Sequence, residues 1–239
     1  MAVVRRAGAA ELVERDVPGL GETEVVIAIK ASSICGGDLH IYKGKHPSAP
    51  LPMALGHELA GVVIGIGSKV NLVAIGDRVT VEPVIACGLC PPCRRGEYGY
   101  CDNLSFHYRQ GQGALADYFV ADQRYVYKLP VHLSFEAGAM IEPLAVAVHA
   151  VRRAAIGVGD KVAIIGAGPI GLLVTAVCKA AGAQEIIVAS PDSGSCLHYT
   201  GNTDHGNLCI FPCYCRLLKG CKERYPPAVA AAGFLDEDI

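Results

Sequence analysis

The chain has 239 residues, 51% of them hydrophobic, and a formal net charge of −2. This length is enough for one large domain or two modest ones. The near-neutral charge excludes a general attraction to nucleic acid or to an anionic membrane, so we expect neither as a partner. The apolar runs are short and interrupted by charge or glycine, so none is expected to span a bilayer.

The first part of the chain, residues 1–155, is predicted to be mainly β. The predicted strands are Val25–Lys30, Leu59–Ile66, Arg78–Val81, Ala116–Val120 and Tyr125–Leu129. Short strands at close spacing favour a compact, barrel-like β domain. Residues Phe135–Arg153 then show helical spacing, with Pro143 early in the helix, where a proline is best tolerated.

The pattern changes after Asp160. An apolar strand at Lys161–Ile165 is followed by a glycine turn, a helix at Leu172–Ala181 and a second strand at Ile186–Ala189. These elements form one βαβ unit of about 30 residues. We therefore predict an α/β arrangement over residues 156–190, the first βαβ of a dinucleotide-binding domain.

The glycine turn GAGPIG lies between that strand and that helix, which is the context that gives the pattern meaning. Gly166 permits the tight turn, Gly168 lets a pyrophosphate approach the backbone, and Gly171 lets helix and strand pack closely. Phosphates would lie at the helix N-terminus. The alternative is a plain glycine-rich turn. The predicted dinucleotide-binding residues are Gly166, Gly168, Pro169, Ile170, Gly171 and, at the ribose position, Ser190.

The residue at the ribose position does not decide between NAD and NADP. An acid there would favour NAD, whereas a nearby arginine would favour NADP. Ser190 is neither, and no arginine occurs between it and Leu208. The choice of dinucleotide stays open.

Residues 191–239 depart from the preceding pattern. They contain five cysteines and one valine, and we predict neither strand nor helix between Pro191 and Pro227. The hypothesis is a tail of frame-shifted or otherwise foreign sequence, disordered or atypical in structure. The alternative is a genuine, divergent tail.

Four cysteines form a C-x2-C-x2-C-x7-C cluster: Cys87, Cys90, Cys93 and Cys101. Four thiols at this spacing can enclose one tetrahedral zinc ion, or they can form a disulfide framework. Residues 1–20 contain charged side chains and no apolar secretion signal, so we expect a cytoplasmic protein. A reducing cytosol favours metal ligation, and we predict a structural zinc.

A second constellation combines the segment Cys35-Gly36-Gly37-Asp38-Leu39-His40 with Gly56-His57-Glu58. A thiolate, an imidazole and a carboxylate suit a catalytic zinc with one open coordination position. Such an ion is a Lewis acid that lowers the pKa of an alcohol. The alternatives are a buried core thiol, an aspartate that forms a turn and a core histidine.

Together these motifs resemble the zinc-containing medium-chain alcohol dehydrogenases of the sorbitol (polyol) and threonine dehydrogenase kind, from about residue 1 to 190. The motifs are CGGDLH, GHE, the four-cysteine lobe, Glu142-Pro143-Leu144 before His149, and GAGPIG. The resemblance implies a GroES-like β-barrel domain followed by an incomplete Rossmann domain. It also implies oxidation of a secondary alcohol with NAD or NADP, a catalytic and a structural zinc, and a homo-oligomer.

The resemblance also implies the roles of individual residues at the catalytic zinc. Cys35 and His57 resemble the invariant ligands, and Glu58 resembles the adjacent carboxylate that can ligate the ion. Glu142 resembles the carboxylate that sorbitol dehydrogenases place at this zinc, directly or through water. Asp38 resembles the acid that orients the ligand histidine.

Proton transfer is where the sequence departs from the family pattern. His40 resembles the outer end of a proton relay, but Gly37 replaces the usual serine or threonine and has no hydroxyl. The second half of the Rossmann pattern is also not visible. Two functions are therefore predicted: a zinc-dependent polyol dehydrogenase, and a non-catalytic zinc-binding fragment without a complete cofactor site.

Overall fold

A computed structural model describes residues 1–17, 19–47, 49–189, 195–200 and 209–212. The chain divides into two compact units, Met1–Glu142 and Pro143–Ile239. Within the described ranges, every helix is too short or too polar to cross a membrane. The predicted domain boundaries at residues 155 and 190 stay predictions.

Strands outnumber helices in the described residues. The strands are β1 (Ala2–Arg6), β2 (Ala9–Leu12), β3 (Glu24–Ser33), β4 (Met53–Ala54), β5 (Glu58–Ile66), β6 (Arg78–Val81), β7 (Val84–Ile85), β8 (Ser105–Phe106), β9 (Tyr118–Asp122), β10 (Val126–Lys128), β11 (Lys161–Ile165), β12 (Glu185–Ala189), β13 (Ser195–Thr200) and β14 (Cys209–Pro212). The helices are α1 (Gly36–Tyr42), α2 (Pro91–Arg94), α3 (Phe135–Ala139), α4 (Ile141–Arg153) and α5 (Pro169–Ala180). Short 3₁₀ turns lie at Tyr98–Tyr100, His107–Gln110 and Gln123–Tyr125.

The first unit is built on an antiparallel five-stranded sheet in the order β10-β6-β5-β3-β9. Alternate residues of β3, such as Val25 and Ile27, are fully buried beneath it, as period-two patterning requires. The β3–β5 register shifts twice, between Val26 and Ile27 and between Ile29 and Ala31. Such irregularities bend a strand, so the sheet curves around its core.

Most predicted strands of this unit are confirmed. The predicted strands at Val25–Lys30 and Leu59–Ile66 lie within β3 and β5, and Arg78–Val81 is β6. Strand β9 begins two residues later than predicted, at Tyr118. The small sheet β2-β1-β4 was not predicted, because β1 has two adjacent buried valines rather than an alternating pattern.

The predicted helix over Phe135–Arg153 consists of two helices, α3 and α4, which are separated at Met140. Pro143 explains the break. Proline has no N–H to donate to the carbonyl of Ala139, and its ring would clash with that carbonyl in a continuous helix. In the first turn of α4 the same proline is tolerated.

The second unit contains the predicted βαβ arrangement. Strands β11 and β12 are parallel and in register, with Lys161 opposite Glu185, and α5 connects them. Buried side chains of both strands pack with Val174 and Cys178 of α5. Cys178 is therefore a packed thiol.

The prediction of no strand after Pro191 is wrong for the part of the tail that the structure describes. Strands β13 and β14 continue the sheet in antiparallel order. Strand β13 begins at Ser195, soon after β12 ends at Ala189, which leaves no room for the crossover of a dozen or more residues that a parallel strand needs. Strand β14 contains Ile210 and Phe211, which have high β propensity. The prediction relied on the low valine content of the tail and overlooked them. The rest of the tail lies outside the described residues.

Candidate metal centres and dinucleotide turn

The first candidate site forms where two strands of the curved sheet meet α1. Cys35 follows the end of β3 and caps α1, whereas His57 directly precedes β5, whose first residue is Glu58. The thiol sulfur, an imidazole nitrogen and a carboxylate oxygen of these residues lie within 4.8 Å of one another. The structure therefore brings together three of the predicted ligands of the catalytic zinc.

Asp38 connects the two segments that carry these ligands. Its carboxylate is buried and accepts two backbone N–H groups, from Cys35 at 2.9 Å and from Gly56 at 2.9 Å. The same carboxylate lies 3.9 Å from Nδ1 of His57. Asp38 thus fixes the spacing of the ligand segments through their backbones, while its predicted role in orienting the imidazole stays a prediction.

Gly56 is the residue that lets the His57 segment pass so close to the neighbouring chain segment. Its φ angle is +87°, in the left-handed region that favours glycine. A Cβ atom at this position would lie 2.8 Å from the backbone nitrogen of Leu115. The position immediately before His57 therefore requires glycine.

Burial and neighbouring charges shift the pKa values of His57 and Glu142 in this site. Burial by itself would lower the pKa of His57, but its hydrogen bond with Cys35 and the negative charges of Asp38, Cys35 and Glu142 raise this pKa to about 9. Burial raises the pKa of Glu142, which His57 partly offsets and Glu58 reinforces. A bound cation would take the place of the imidazole proton.

The remaining predicted catalytic residues lie around this group. Glu142 lies in the first turn of α4, outside the set of three donor atoms but near enough for its charge to act on His57. His40 is half-buried on α1, and its carbonyl accepts the N–H of Lys45 at 2.9 Å. A Cβ atom on Gly37 would lie 3.9 Å from the Cys35 sulfur, so a hydroxyl side chain would fit beside the ligands.

These residues fit a zinc ion. One thiolate, one imidazole and one carboxylate within a few ångströms are a typical catalytic donor set, and three protein ligands leave a fourth position open. Glu58 is buried, so its charge needs a compensating partner in the site.

The four-cysteine lobe is the second candidate site. The sulfur atoms of Cys87, Cys90, Cys93 and Cys101 lie within 4.8 Å of one another, and all four thiols are free. Cys90 and Cys101 are separated by 3.9 Å between sulfurs. A tetrahedral zinc with Zn–S bonds of about 2.3 Å holds its sulfurs about 3.8 Å apart, whereas a disulfide needs about 2 Å. The spacing fits zinc and not a disulfide.

Backbone N–H groups point at the sulfurs of this lobe. The Cys101 sulfur accepts the N–H groups of Cys87 at 3.2 Å and of Asn103 at 3.4 Å. The pKa of Cys87 is lowered to about 6, mainly because its sulfur accepts hydrogen bonds from the backbone N–H groups of Leu89 and Cys90. Donors of this kind stabilise thiolate, the form that binds metal.

The glycine turn lies between β11 and α5, as predicted, and its glycines have distinct backbone surroundings. Gly166 has a φ of +103° and donates its N–H to the Ala189 carbonyl at 2.7 Å. A Cβ on Gly171 would lie 1.9 Å from the Gly166 carbonyl oxygen, so helix and turn are in close contact. A Cβ on Gly168 would meet nothing within 4 Å, which leaves its backbone open at the start of α5.

The other predicted residues of this turn have different surroundings. Pro169 is the first residue of α5, where its missing N–H costs no helical hydrogen bond. Ile170 is partly buried against the core of the second unit, and its predicted contact with the dinucleotide stays a prediction. Ser190 lies outside the described residues, and its predicted contact with the ribose stays a prediction.

Comparison with known proteins agrees with this geometry. Residues 21–131 match the alcohol dehydrogenase GroES-like domain. The chain is 39% identical over 188 residues to D-xylulose reductase A from Aspergillus niger, covering 76% of this chain and 52% of the relative.

The chain belongs to the zinc-containing medium-chain alcohol dehydrogenase family. Among solved structures of this family, galactitol-1-phosphate dehydrogenase from Escherichia coli is 34% identical, with a TM-score of 0.74 over 78% of this chain and 54% of that one. A protein from Sinorhizobium meliloti 1021, described as a zinc-binding dehydrogenase bound to NADP, is 35% identical, with a TM-score of 0.74 over 78% and 54%. The chain spans about half the length of the curated relatives it matches.

Membership of the dehydrogenase family confirms the resemblance that the motifs predicted. It also confirms the fold class, a GroES-like β domain followed by a Rossmann-type unit. Zinc and NAD(P) are the cofactors expected for this family. The assignment of individual residues to zinc and dinucleotide stays a prediction.

Two residues of the candidate catalytic site carry functions that the sequence pattern did not reveal. Gly56 belongs to the GHE motif, and its place directly before the ligand histidine is a usable signal for its backbone role. Ser33 belongs to no motif. Its hydroxyl donates a hydrogen bond to Glu58, a contact that depends on strand register.

Proposed function

We propose that this protein is a zinc-dependent dehydrogenase that exchanges a hydride between a secondary alcohol of the polyol class and NAD or NADP. The observation that carries the proposal is the convergence of one sulfur, one nitrogen and one oxygen donor from Cys35, His57 and Glu58 within 4.8 Å. The spacing of the four-cysteine lobe supports a second, structural zinc.

In the proposed mechanism, the protein holds and orients the reacting groups. Cys35, His57 and Glu58 would hold the catalytic ion, while Asp38 keeps the two segments that carry these candidate ligands in place. When bound, zinc would supply Lewis acidity toward the alcohol, and the dinucleotide would supply the redox chemistry. The open backbone at Gly168 and the N-terminus of α5 suit the pyrophosphate.

The route of the alcohol proton differs from the family pattern. Gly37 has no hydroxyl, so we propose that the proton leaves through water or through the Glu58 carboxylate. The variant Gly37→Ser would restore a hydroxyl where space exists. We expect an unchanged rate and pH profile; a raised rate would show that the missing hydroxyl limits turnover.

The polyol class is proposed because the chain is similar to D-xylulose reductase A and to galactitol-1-phosphate dehydrogenase. Glu142 close to the ligands would suit a substrate with several hydroxyl groups, because a carboxylate accepts hydrogen bonds from them. A cytoplasmic location, a homo-oligomeric assembly and the lack of nucleic-acid or membrane partners stay predictions.

The proposal is tested by turnover of the zinc-loaded chain. The protein, reconstituted with zinc, would be mixed with NAD or NADP and a five-carbon polyol such as xylitol, and the absorbance of the reduced nicotinamide would be followed. We expect turnover that is lost after chelation and in Cys35→Ser. Ser32→Ala is the matched control, since the Ser32 hydroxyl is buried and has no hydrogen-bond partner among the described residues.

Turnover and a titration with reduced dinucleotide together separate the two functions that the sequence predicted. Zinc-dependent turnover would exclude the non-catalytic zinc-binding fragment. Binding of zinc without any affinity for NADH or NADPH, measured by titration of the nicotinamide fluorescence, would overturn the dehydrogenase proposal and favour the fragment.

A further inference from the structure

Ser33 and Glu58 face each other across β3 and β5, next to the candidate zinc ligands. Ser33 is the last residue of β3 and is directly opposite Glu58, the first residue of β5, in the antiparallel register. The Ser33 hydroxyl donates a hydrogen bond to Oε2 of the Glu58 carboxylate. The contact therefore joins a side chain outside the donor set to one of its three members.

Glu58 depends on such a contact because its side chain is buried. A buried carboxylate has few ways to satisfy its two oxygens, and an oxygen without a partner is costly. With one oxygen held by a hydroxyl, the other is free to face a cation. Without the hydroxyl, the two oxygens are equivalent and the carboxylate can rotate.

We infer that Ser33 is the positioning residue of Glu58: its hydroxyl holds one carboxylate oxygen and thereby reserves the other for the zinc ion. This inference rests on the proposed function, because it assumes a metal at the site of Cys35, His57 and Glu58. It adds a residue to that site which binds neither metal nor substrate.

The positions of the other contacts support this division of roles. Among the described residues, the hydrogen bonds of the Asp38 carboxylate fix the Cys35 and Gly56 segments through backbone N–H groups. The hydrogen bond from Ser33 instead reaches the carboxylate of Glu58 itself. Residues that orient ligands in this way typically change metal affinity by 10–100-fold when they are removed.

The neighbouring serine provides a matched control on the same strand. Ser32 precedes Ser33 in β3, and its hydroxyl is buried without a hydrogen-bond partner in the described part of the chain. The pair Ser32→Ala and Ser33→Ala removes the same atom from adjacent positions. Only Ser33→Ala removes a hydrogen-bond donor to the Glu58 carboxylate.

The test is a titration of metal-free protein with Zn²⁺ in competition with a fluorescent chelator. The four-cysteine lobe gives one binding step and serves as an internal control, and the Cys35–His57–Glu58 site gives the other. We expect Ser33→Ala to weaken only the second step, by about 10–100-fold. Ser32→Ala should change neither step, and Ser33→Thr, which keeps the hydroxyl, should restore the affinity.

A spectroscopic measurement distinguishes positioning from a general structural role. With Co²⁺ in place of Zn²⁺, Ser33→Ala should change the visible absorption of the ion at the second site, because the carboxylate binds differently. An unchanged affinity and spectrum in Ser33→Ala would overturn the inference, as would an equal weakening of both steps. If the unaltered protein binds only one zinc, the proposed function itself fails, which is a separate outcome.

Discussion

Replacing Gly56 by alanine tests the geometry of the candidate catalytic site most sharply. The residue has a φ of +87°, and it donates its N–H to Asp38 while its carbonyl accepts the N–H of Ala114 at 2.9 Å. An added Cβ would lie 2.8 Å from the backbone nitrogen and 2.9 Å from Cγ of Leu115. Neither the backbone angle nor the space suits a side chain.

The expected loss of stability combines these two effects. A left-handed backbone costs an alanine roughly 1 kcal/mol. Crowding against a backbone atom adds about 2 kcal/mol, because the neighbour cannot rotate away as a flexible side chain would. We expect Gly56→Ala to lower the free energy of unfolding by about 3 kcal/mol in total.

Gly76 separates the two effects. Its φ is +92°, but a Cβ there would meet nothing within 4 Å. In urea unfolding followed by circular dichroism, Gly76→Ala should therefore lose only about 1 kcal/mol. Equal losses in the two variants would refute the crowding argument. Gly56→Ala should also weaken zinc at the His57 site and leave the four-cysteine lobe unchanged.

Two further predictions concern the glycine turn and a buried histidine. Gly171→Ala should destabilise the second unit, since its Cβ would lie 1.9 Å from the Gly166 carbonyl oxygen. Gly168→Ala should leave the stability unchanged but weaken the binding of NADH or NADPH about tenfold, as measured by fluorescence titration. Burial lowers the pKa of His107 from 6.5 to about 4. The unfolded chain then binds more protons, so stability should fall by about 3 kcal/mol from pH 6.5 to pH 4. His107→Phe should remove this part of the pH dependence of stability. Equal stability of Gly171→Ala and Gly168→Ala would contradict the first prediction. An unchanged pH dependence of stability in His107→Phe would contradict the second.

The clustering of the candidate metal ligands and the position of the glycine turn were predictable, because both depend on residue type at fixed spacing. Four cysteines between positions 87 and 101 leave few geometries other than a shared ion. The turn from Gly166 to Gly171 lies between an apolar strand and an apolar helix, so its context could be seen in the sequence.

The Ser33–Glu58 contact could not be predicted, because it depends on strand register. The pairing of β3 with β5 shifts between Ile29 and Ala31, and each one-residue shift exchanges the faces on which side chains lie. The sequence does not reveal this irregularity. It therefore cannot say which of the adjacent residues Ser32 and Ser33 faces the carboxylate of Glu58.

The strands of the tail were missed for a different reason. A parallel Rossmann continuation would show helix–strand repeats, which residues 191–239 lack. Strand β13 is antiparallel to β12 and needs no crossover helix.

The central claim is that one chain binds two zinc ions at two separate clusters. The most direct measurement is the zinc content per chain, by elemental analysis, of the unaltered protein, of Cys90→Ser and of Cys35→Ser. The claim predicts two ions in the unaltered protein and one in each variant, lost from a different site. A zinc content that stays unchanged in Cys90→Ser would contradict the four-thiol site, and an unchanged content in Cys35→Ser would contradict the catalytic one.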